Sequence, residues 1–180
     1  MNADGHIVIM GPMGSGKTTI GRLLARRLAR GFVDNDAQIE RTSGRTAAEI
    51  ADADGVDALH VREARVLRDA LDARVPAVIT AAASTVHDAA LRERLRTTTF
   101  VIWLTAEPKT LARRTATGSS ARPRLDSDHL TVAERQRVER DPLFADVADL
   151  LVSTDGSIES VVDDVVANLP AGVVPPVADS

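Results

Sequence analysis

The segment GPMGSGKT, residues 11–18, has the residue types and spacing best suited to chemistry in this sequence. It fits the pattern G-x-x-x-x-G-K-[ST], which binds the phosphates of a nucleoside triphosphate when it lies between a strand and a helix. In such a loop the glycines let backbone amides converge on phosphate oxygens, the lysine places a positive charge at the β- and γ-phosphates, and the next hydroxyl can ligate Mg²⁺. A chance glycine-rich turn is the alternative, which the complete pattern disfavours.

The loop therefore predicts a set of nucleotide-binding residues: Gly11, Gly14, Ser15, Gly16, Lys17, Thr18 and Thr19. Lys17 is the predicted catalytic cation and Thr18 a predicted metal ligand, because the lysine and the hydroxyl of such loops contact the transferred phosphate and the Mg²⁺ ion. The sequence thus predicts a protein that binds a nucleoside triphosphate, or one that descends from such a protein.

Two carboxylates, Asp34 and Asp36, come at the end of the next apolar run. Residues two apart on a strand point to the same face, so we expect both side chains to point toward the phosphate loop. Aspartate is also a common helix N-cap, and one of the two could serve only that role. The pair is a candidate for chemistry beside the phosphates, with capping as the competing explanation.

The elements that must position these residues form an alternating pattern. Short apolar runs (HIVIM, GFVD, PAVITAA, FVIWLT, DLLVST) alternate with helical stretches near 17–29, 56–72, 87–96, 107–115, 130–140 and 157–168. This alternation predicts an α/β fold, with a central parallel sheet of about five strands flanked by helices. Capping-box spacing further predicts helix starts at Thr46, with Glu49, and at Thr131, with Glu134.

Composition limits the classes of function. With 180 residues and 44% apolar content, we expect one domain over residues 1–170 and a disordered proline-rich tail over 171–180. The net charge of −4 provides no basic surplus for nucleic acid, and the chain has no cysteine for disulfides or thiolate chemistry. It shows no signal peptide and no apolar run of the roughly 20 residues that span a bilayer. We expect a cytoplasmic monomer that binds no nucleic acid and no membrane.

Three further segments carry a resemblance. GFVDNDAQIERTSGRTAAEI resembles the second strand and acceptor-binding helices of the shikimate kinase family, ARPRL resembles its lid motif, and VERDPLFADVADLLVST resembles its closing Arg-x-Pro-Leu-Tyr region. The resemblance covers residues 6–168. The phosphate loop is shared with very many nucleotide-binding proteins, whereas Asp-x-Asp, Arg-Pro and Arg-x-Pro-Leu in this order are more discriminating.

The resemblance implies a P-loop kinase fold with an acceptor-binding segment at about 34–62 and a closing lid at about 116–128. It also implies a kinase that uses ATP and Mg²⁺ to phosphorylate a hydroxyl of a small polar metabolite, with shikimate as first candidate. Closure of two such segments would exclude water and limit wasteful ATP hydrolysis.

Roles for single residues also follow from the resemblance. Asp34 would hold the Mg²⁺ shell, and Asp36 would bind the acceptor hydroxyl and accept its proton. Arg122 would be the catalytic lid arginine that closes over the phosphates, Arg114 would pack on the adenine, and Arg140 would bind the acceptor carboxylate. Arginine is common in this chain, and solvated helix faces are the ordinary alternative for each.

The acceptor side departs from the family pattern. Ala81, Ala82 and Ala83 stand where the family has three glycines, His60 stands where it has an arginine that binds the shikimate carboxylate, and Val56 replaces a glutamate. Glycine permits positive φ and close approach of a ligand, whereas alanine in a left-handed conformation costs about 1 kcal/mol or more. We predict that Ala82, Ala83 and His60 contact the acceptor, in a pocket that differs from the family's.

Neighbouring polar residues leave alternatives open. A one-turn shift could bring Arg62 into the role given to His60, and Glu63 could orient His60, bind a hydroxyl or remain solvated. Ser84 and Thr85 could replace backbone contacts that the glycines would have made, or could cap the next helix.

Two competing functions remain. One is a related kinase for a different hydroxylated acid or polyol; the other is a nucleotide-binding protein without kinase activity. A gluconate or nucleoside monophosphate kinase would need its own acceptor motifs, which the sequence lacks. With one Trp, three Phe and no Tyr, it also has little material for a base-stacking pocket.

Overall fold

The computed structural model describes residues 5–117, 129–171 and 173. The described strands are β1 (His6–Met10), β2 (Gly31–Asp34), β3 (Ala77–Thr80), β4 (Thr99–Thr105) and β5 (Leu150–Ser153). The described α-helices are α1 (Lys17–Arg27), α2 (Asn35–Ser43), α3 (Ala47–Asp54), α4 (Val56–Leu71), α5 (Ala89–Thr98), α6 (Pro108–Thr117), α7 (His129–Val147) and α8 (Ile158–Ala167). A 3₁₀ helix covers Ala83–His87. Within this described part, no helix has the length and apolar character needed to cross a membrane.

The five strands form one parallel sheet in the order β2-β3-β1-β4-β5. β1 is central, with Ile9 beside Thr80 on one side and Ile102 on the other, and Asp34 lies beside Thr80 at the end of β2. Because all strands run the same way, their carboxyl ends lie along one edge, where ligands bind in such sheets. The predicted α/β fold with a five-stranded parallel sheet is confirmed.

Alternate residues of the strands fill two apolar layers, one on each face of the sheet. Helices α1 and α8 cover the first, which includes Ile7, Ile9, Leu24, Ile102 and Val165. Helices α4, α5 and α7 cover the second, which includes Val8, Met10, Leu67, Leu95 and Phe144. Since both faces are buried, the strands are nearly continuous apolar runs, as a parallel sheet requires.

The first predicted helix start is confirmed and the second is wrong. Thr46 caps α3: its hydroxyl accepts from the Glu49 amide at 3.2 Å, and the Glu49 carboxylate accepts from the Thr46 amide at 2.7 Å. Helix α7, in contrast, begins at His129, so Thr131 lies inside its first turn. The backbone is already helical two residues earlier, so Thr131 cannot take the extended conformation of an N-cap.

Helix α7 also continues beyond the predicted stretch 130–140 and passes through Pro142 to Val147. A proline inside a helix removes one backbone hydrogen bond. Phe144 and Val147, only 1% and 3% exposed, pack into the second apolar layer, and Phe144 stacks on Trp103 with 5.7 Å between the ring centroids. Their burial holds the helix together past the proline.

The end of α1 contains the one described non-glycine residue with positive φ, Ala29, at 51°. The amide of Arg30 donates to the carbonyl of Ala25 at 2.9 Å, and that of Ala29 to the carbonyl of Arg26 at 3.2 Å. These two bonds form a Schellman motif, whose left-handed position glycine usually occupies. Alanine there stores strain that matters for stability.

Candidate active site

The glycines of the phosphate loop are required by conformation and by space. Gly11, Gly14 and Gly16 have φ values of 144°, 81° and 86°. A methyl group on Gly11 would lie 2.2 Å from the carbonyl oxygen of Leu104, and one on Gly14 would lie 2.9 Å from that of Leu111. The loop can take this shape only with glycine at these positions, so its conformation explains why the motif has glycine there.

Lys17, the first residue of α1, lies inside the loop. Its Nζ donates to the carbonyls of Gly11 at 2.8 Å and Pro12 at 2.9 Å, and the side chain is buried. The hydroxyl of Ser15 is also buried, and it has no hydrogen-bond partner among the described residues. The loop thus gathers a buried ammonium, an unused hydroxyl and the amino end of α1, which fits a bound polyphosphate.

Asp34 combines the two roles that the sequence left open. Its Oδ1 accepts from the amide of Ala37 at 3.1 Å and so caps α2. Its Oδ2 accepts from the hydroxyls of Thr18 at 2.7 Å and Thr80 at 3.2 Å. A hydroxyl and a carboxylate oxygen in contact are hard ligands of the kind Mg²⁺ prefers.

No group of three or more His, Cys, Asp or Glu side chains suited to a metal occurs among the described residues. Mg²⁺ in kinases is bound through one or two protein oxygens together with phosphates and water, so the pair formed by Thr18 and Asp34 fits such an ion. Thr80, which sequence analysis missed, is the neighbour of Asp34 in the sheet register.

Asp36 lies in the first turn of α2, half-buried, and not on strand β2. The expectation that both aspartates alternate along one strand is therefore wrong, because the chain becomes helical at Asn35. Buried Asn35 fixes this helix start: its amide donates to the Thr80 hydroxyl at 3.3 Å and its Nδ2 to the carbonyl of Glu63 at 3.2 Å. Asn35 thus holds the start of α2, and with it Asp36, against both β3 and α4.

Arg114 of α6 is held beside the phosphate loop. Its guanidinium donates to the Thr154 hydroxyl at 3.0 Å, to the Thr154 carbonyl at 2.8 Å and, at 3.4 Å, to the carbonyl of Gly14. It lines a cavity of about 190 Å³, together with Gly16, Thr19, Ile20, Thr154 and Ile158. This cavity continues from the phosphate loop and has both apolar and polar walls, as a nucleobase site needs. Sequence analysis did not identify Thr154, because this residue belongs to no sequence motif.

The three alanines after β3 adopt ordinary backbone conformations. Ala82 has φ −65° and ψ 145°, and Ala81 continues the sheet by donating its amide to the Ile9 carbonyl at 3.0 Å. The side chains of Ala81 and Ala83 pack in the second apolar layer. The left-handed strain considered for alanine does not arise, because the backbone does not turn left-handed here. Acceptor contacts by Ala82 and Ala83 stay a prediction.

Ser84 and Glu63 form a pair across α4 and the 3₁₀ helix. The Ser84 hydroxyl donates to the carboxylate of Glu63, which is only 4% exposed. The idea that Ser84 or Thr85 caps the next helix is wrong, because Asp88 caps α5 by accepting from the Leu91 amide at 3.0 Å. Glu63 is thus neither solvated nor on an outer face.

Arg140 of α7 lies half-buried on the acceptor side. Its Nε is buried and donates to no acceptor among the described residues. Burial lowers the pKa of the Arg140 guanidinium, and the nearby carboxylates of Glu139 and Glu63 oppose that effect. A buried cationic donor without a partner fits a site for a ligand anion.

His87 lies within electrostatic range of both Arg140 and His60. Burial, then the charges of Arg140 and His60, lower the pKa of His87, while Glu139 raises it. Residues from α4, the 3₁₀ helix and α7 therefore meet at one corner of the carboxyl edge; we call His60, Glu63, Ser84, His87 and Arg140 the acceptor corner. Sequence analysis did not identify His87, since a lone histidine gives no pattern.

Comparison with known proteins identifies the family. The family model for shikimate kinase matches residues 13–170. The chain belongs to the shikimate kinase family. A shikimate kinase of Symbiobacterium thermophilum is 42% identical over 167 residues, covering 91% of this chain and 95% of the relative. One of Hahella chejuensis is 36% identical and covers 95% and 89%. A solved structure of shikimate kinase from Acinetobacter baumannii in complex with shikimate has a TM-score of 0.82, with 29% identity and 90% coverage of both chains.

Family membership makes the chain a small-molecule kinase, a phosphotransferase of the shikimate kinase type. Arg122, predicted to be the lid arginine, and the predicted lid beyond residue 117 lie outside the described residues, as does most of the tail 171–180. A wider groove of about 620 Å³ lies between α2 and α4 and is lined by Ile39, Val61, Arg62 and Arg65. It contains none of the site residues that the sequence predicted. Arg62 also pairs with Asp54 at 3.7 Å.

Proposed function

We propose that this shikimate kinase family member transfers the γ-phosphate of ATP, bound with Mg²⁺, to a hydroxyl of shikimate. The observation that carries the proposal is the contact between Thr18 and Asp34 beside the phosphate loop, at the same edge of the sheet as Arg140 and its unused donor. A polyphosphate site and an anion site at one edge suit a kinase for a small hydroxylated acid.

On the nucleotide side, Lys17 would neutralise charge on the β- and γ-phosphates, and Thr18 and Asp34 would hold the metal. When bound, Mg²⁺ neutralises the charge that develops on the phosphate oxygens. Arg114, oriented by Thr154, would stack on the base in the adjoining cavity. The buried Ser15 hydroxyl would donate to a phosphate oxygen, which gives it the partner it needs.

On the acceptor side, Asp36 would position the attacking hydroxyl and accept its proton as the new phosphate ester bond forms. The bond between the γ-phosphorus and the β,γ-bridging oxygen of ATP breaks in the same transfer, and ADP is the leaving group. Arg140 would bind the acceptor carboxylate, with His60 near it and Ala82 and Ala83 at the floor. Phosphoryl transfer has little covalent chemistry for the protein to perform, so these residues act mainly by positioning and by charge. Arg122 would close over the phosphates as the lid excludes water.

The test is coupled ADP release with Mg-ATP and shikimate, beside a panel of hydroxy acids and polyols. Lys17→Met removes the positive charge and shortens the side chain by its terminal atom alone, and we expect at least a 100-fold loss of turnover, the scale seen when one charge-stabilising donor is removed. Lys109→Met, on the exposed surface of α6, is the matched control and should keep wild-type turnover. Unchanged turnover in Lys17→Met would refute the kinase mechanism.

A second candidate acceptor is another hydroxylated acid or polyol, and a specific observation favours testing it. His60 and the three alanines stand where the family pattern has an arginine and glycines, and the methyl groups of Ala81 and Ala83 are already packed in the core. Turnover on another member of the panel with a lower KM than for shikimate would establish that acceptor. ATP binding without turnover on any acceptor would instead favour a nucleotide-binding protein.

We further propose that residues 1–170 act as one domain and that the protein is a cytoplasmic monomer which binds neither nucleic acid nor a membrane. The absence of a basic surplus supports the exclusion of nucleic acid. Size-exclusion chromatography with light scattering would test the monomer directly.

A further inference from the structure

His87 ends the 3₁₀ helix and lies within electrostatic range of charged or titratable groups from three other elements. These are His60 on α4, Arg92 on α5, and Glu139 and Arg140 on α7. The Nε2 of His87 lies 3.5 Å from Oε1 of Glu139, and the histidine side chain is 39% exposed. The 3₁₀ helix itself carries no other titratable residue. His87 therefore lies at the solvent side of the acceptor corner.

The charged groups around His87 differ in how far they are paired. Arg92 is occupied: it donates to the carbonyl of Val86 at 2.6 Å and to the carboxylate of Asp146 at 3.3 Å. Arg140 has the buried Nε without an acceptor among the described residues, while the nearby carboxylate of Glu63 accepts from Ser84. Glu139, which is 56% exposed, is the carboxylate in contact with His87. An anion entering the corner would find one unused cationic donor and two imidazoles.

We propose that His87 is a second residue for recognition of the acceptor anion, which acts with Arg140 on the acceptor carboxylate and takes up a proton when that carboxylate binds. The inference rests on the proposed function, because it takes the acceptor to be a small carboxylate. Within the acceptor corner Arg140 is the one permanent cation, because His60 and His87 carry a charge only when they are protonated. Protonation of His87 adds a second positive charge when an anion is present.

The sign of the pH dependence follows from the charges that act on the His87 imidazole with and without a bound carboxylate. Without acceptor, burial together with Arg140 and His60 holds the pKa of His87 below its ordinary value, so the imidazole is neutral near pH 7. A carboxylate within a few ångströms favours the charged form and opposes that depression. Binding then consumes a proton, so acceptor affinity increases as pH falls. When binding takes up one proton, the acceptor affinity changes by at most about tenfold per pH unit.

The kinetic test compares KM for shikimate and for ATP between pH 6 and 8.5. For the wild type we expect the shikimate KM to rise several-fold with pH, while the ATP KM does not follow it. His87→Gln should raise the shikimate KM at pH 6 and flatten its pH profile with little change in kcat. His87→Arg, with a permanent charge, should keep a low KM at all pH values. Arg65→Gln removes an 82% exposed cation from the outer face of α4 and should match the wild type.

A binding measurement on the wild type does not depend on turnover or on the folding of a variant. Histidine ring protons are followed by NMR during pH titrations with and without shikimate, and His87→Gln assigns the resonance. His6 is an internal reference, because its ring nitrogens contact the carbonyl of Ala73 at 2.9 Å and the amide of Ala77 at 3.1 Å. We expect shikimate to move the titration midpoint of His87 upward and to leave the ring-proton chemical shifts of His6 at their ligand-free positions.

The two measurements separate failure of this inference from failure of the proposed function. Turnover of shikimate with a pH-independent KM and an unmoved His87 midpoint would overturn the role of His87 and leave the kinase function intact. An upward midpoint without turnover would support the role of His87 in binding the anion and count against shikimate as the phosphorylated acceptor. Neither turnover nor a midpoint change, for shikimate and for every carboxylate of the acceptor panel, would overturn both.

Discussion

Replacing Asp34 by asparagine or by alanine separates its structural role from its proposed metal role. Oδ1 caps α2 through the Ala37 amide, whereas Oδ2 accepts from the hydroxyls of Thr18 and Thr80. Asparagine caps helices as well as aspartate does and keeps an oxygen for Ala37. Its amide nitrogen, however, would face the two hydroxyls and can neither accept their protons nor bind a cation.

The expected magnitudes follow from these contacts. Asp34→Ala loses the cap, which is worth about 1 kcal/mol, and a chain of this length then melts roughly 2–4 °C lower. Asp34→Asn keeps the cap and should melt close to the wild type. Both variants lose the carboxylate beside Thr18, and we expect the Mg²⁺ concentration for half-maximal rate to rise about 10–100-fold, as for groups that orient or bind a metal.

The assays are initial rates against free Mg²⁺ at saturating ATP and thermal unfolding by circular dichroism. Asp163→Asn, a 71% exposed aspartate that lies 3.9 Å from Arg27, is the matched control and should change neither measurement. An Asp34→Asn enzyme with wild-type Mg²⁺ dependence would refute the metal role and leave Asp34 as a helix cap only.

Two predictions concern stability. Ala29→Gly should relieve the left-handed strain at the end of α1 and, after the entropy that glycine loses on folding, stabilise the protein by about 0.5–1 kcal/mol; a lower midpoint in urea unfolding would contradict this. Glu49→Gln should remove a pH-dependent contribution, because hydrogen bonds from Thr46 lower the pKa of Glu49. A carboxyl whose pKa is lowered by folding stabilises the protein above its unfolded pKa, and this contribution is lost as pH falls through the folded pKa. The difference in melting temperature between wild type and variant should therefore shrink as pH falls below the ordinary glutamate pKa of about 4.3; a constant difference from pH 3 to 6 would argue against the ionised capping box.

The nucleotide side was predictable because its residues are contiguous. Lys17 and Thr18 follow the loop directly, and Gly11, Gly14 and Gly16 need no partner from elsewhere to take their conformations. The start of α3 was predictable for the same reason, since Thr46 and Glu49 satisfy each other's backbone amides within one turn. Interactions over three or four residues are visible in sequence spacing.

Predictions for the acceptor side came mainly from the resemblance, and the wrong ones have a common physical origin. Asp36 was assigned to a strand although the chain is already helical at Asn35, which β3 and α4 hold in place through Thr80 and Glu63. The alanines were expected to carry strain at a glycine position, but none of them takes a left-handed backbone conformation, and the methyl groups of Ala81 and Ala83 enter the core. These outcomes depend on contacts between elements far apart in the sequence.

The sequence by itself determined the phosphate loop, the alternation that makes a parallel sheet, and the family, because each depends on local residue order. Only the tertiary structure decided that Asp34, while it caps α2, also contacts Thr18, that Thr154 holds Arg114, and that His87 lies 3.5 Å from Glu139. These three contacts join residues at least 16 positions apart, since they span Thr18 to Asp34, Arg114 to Thr154 and His87 to Glu139. Such contacts exist only once the sheet brings its carboxyl ends to one edge, where packing and burial select the partner.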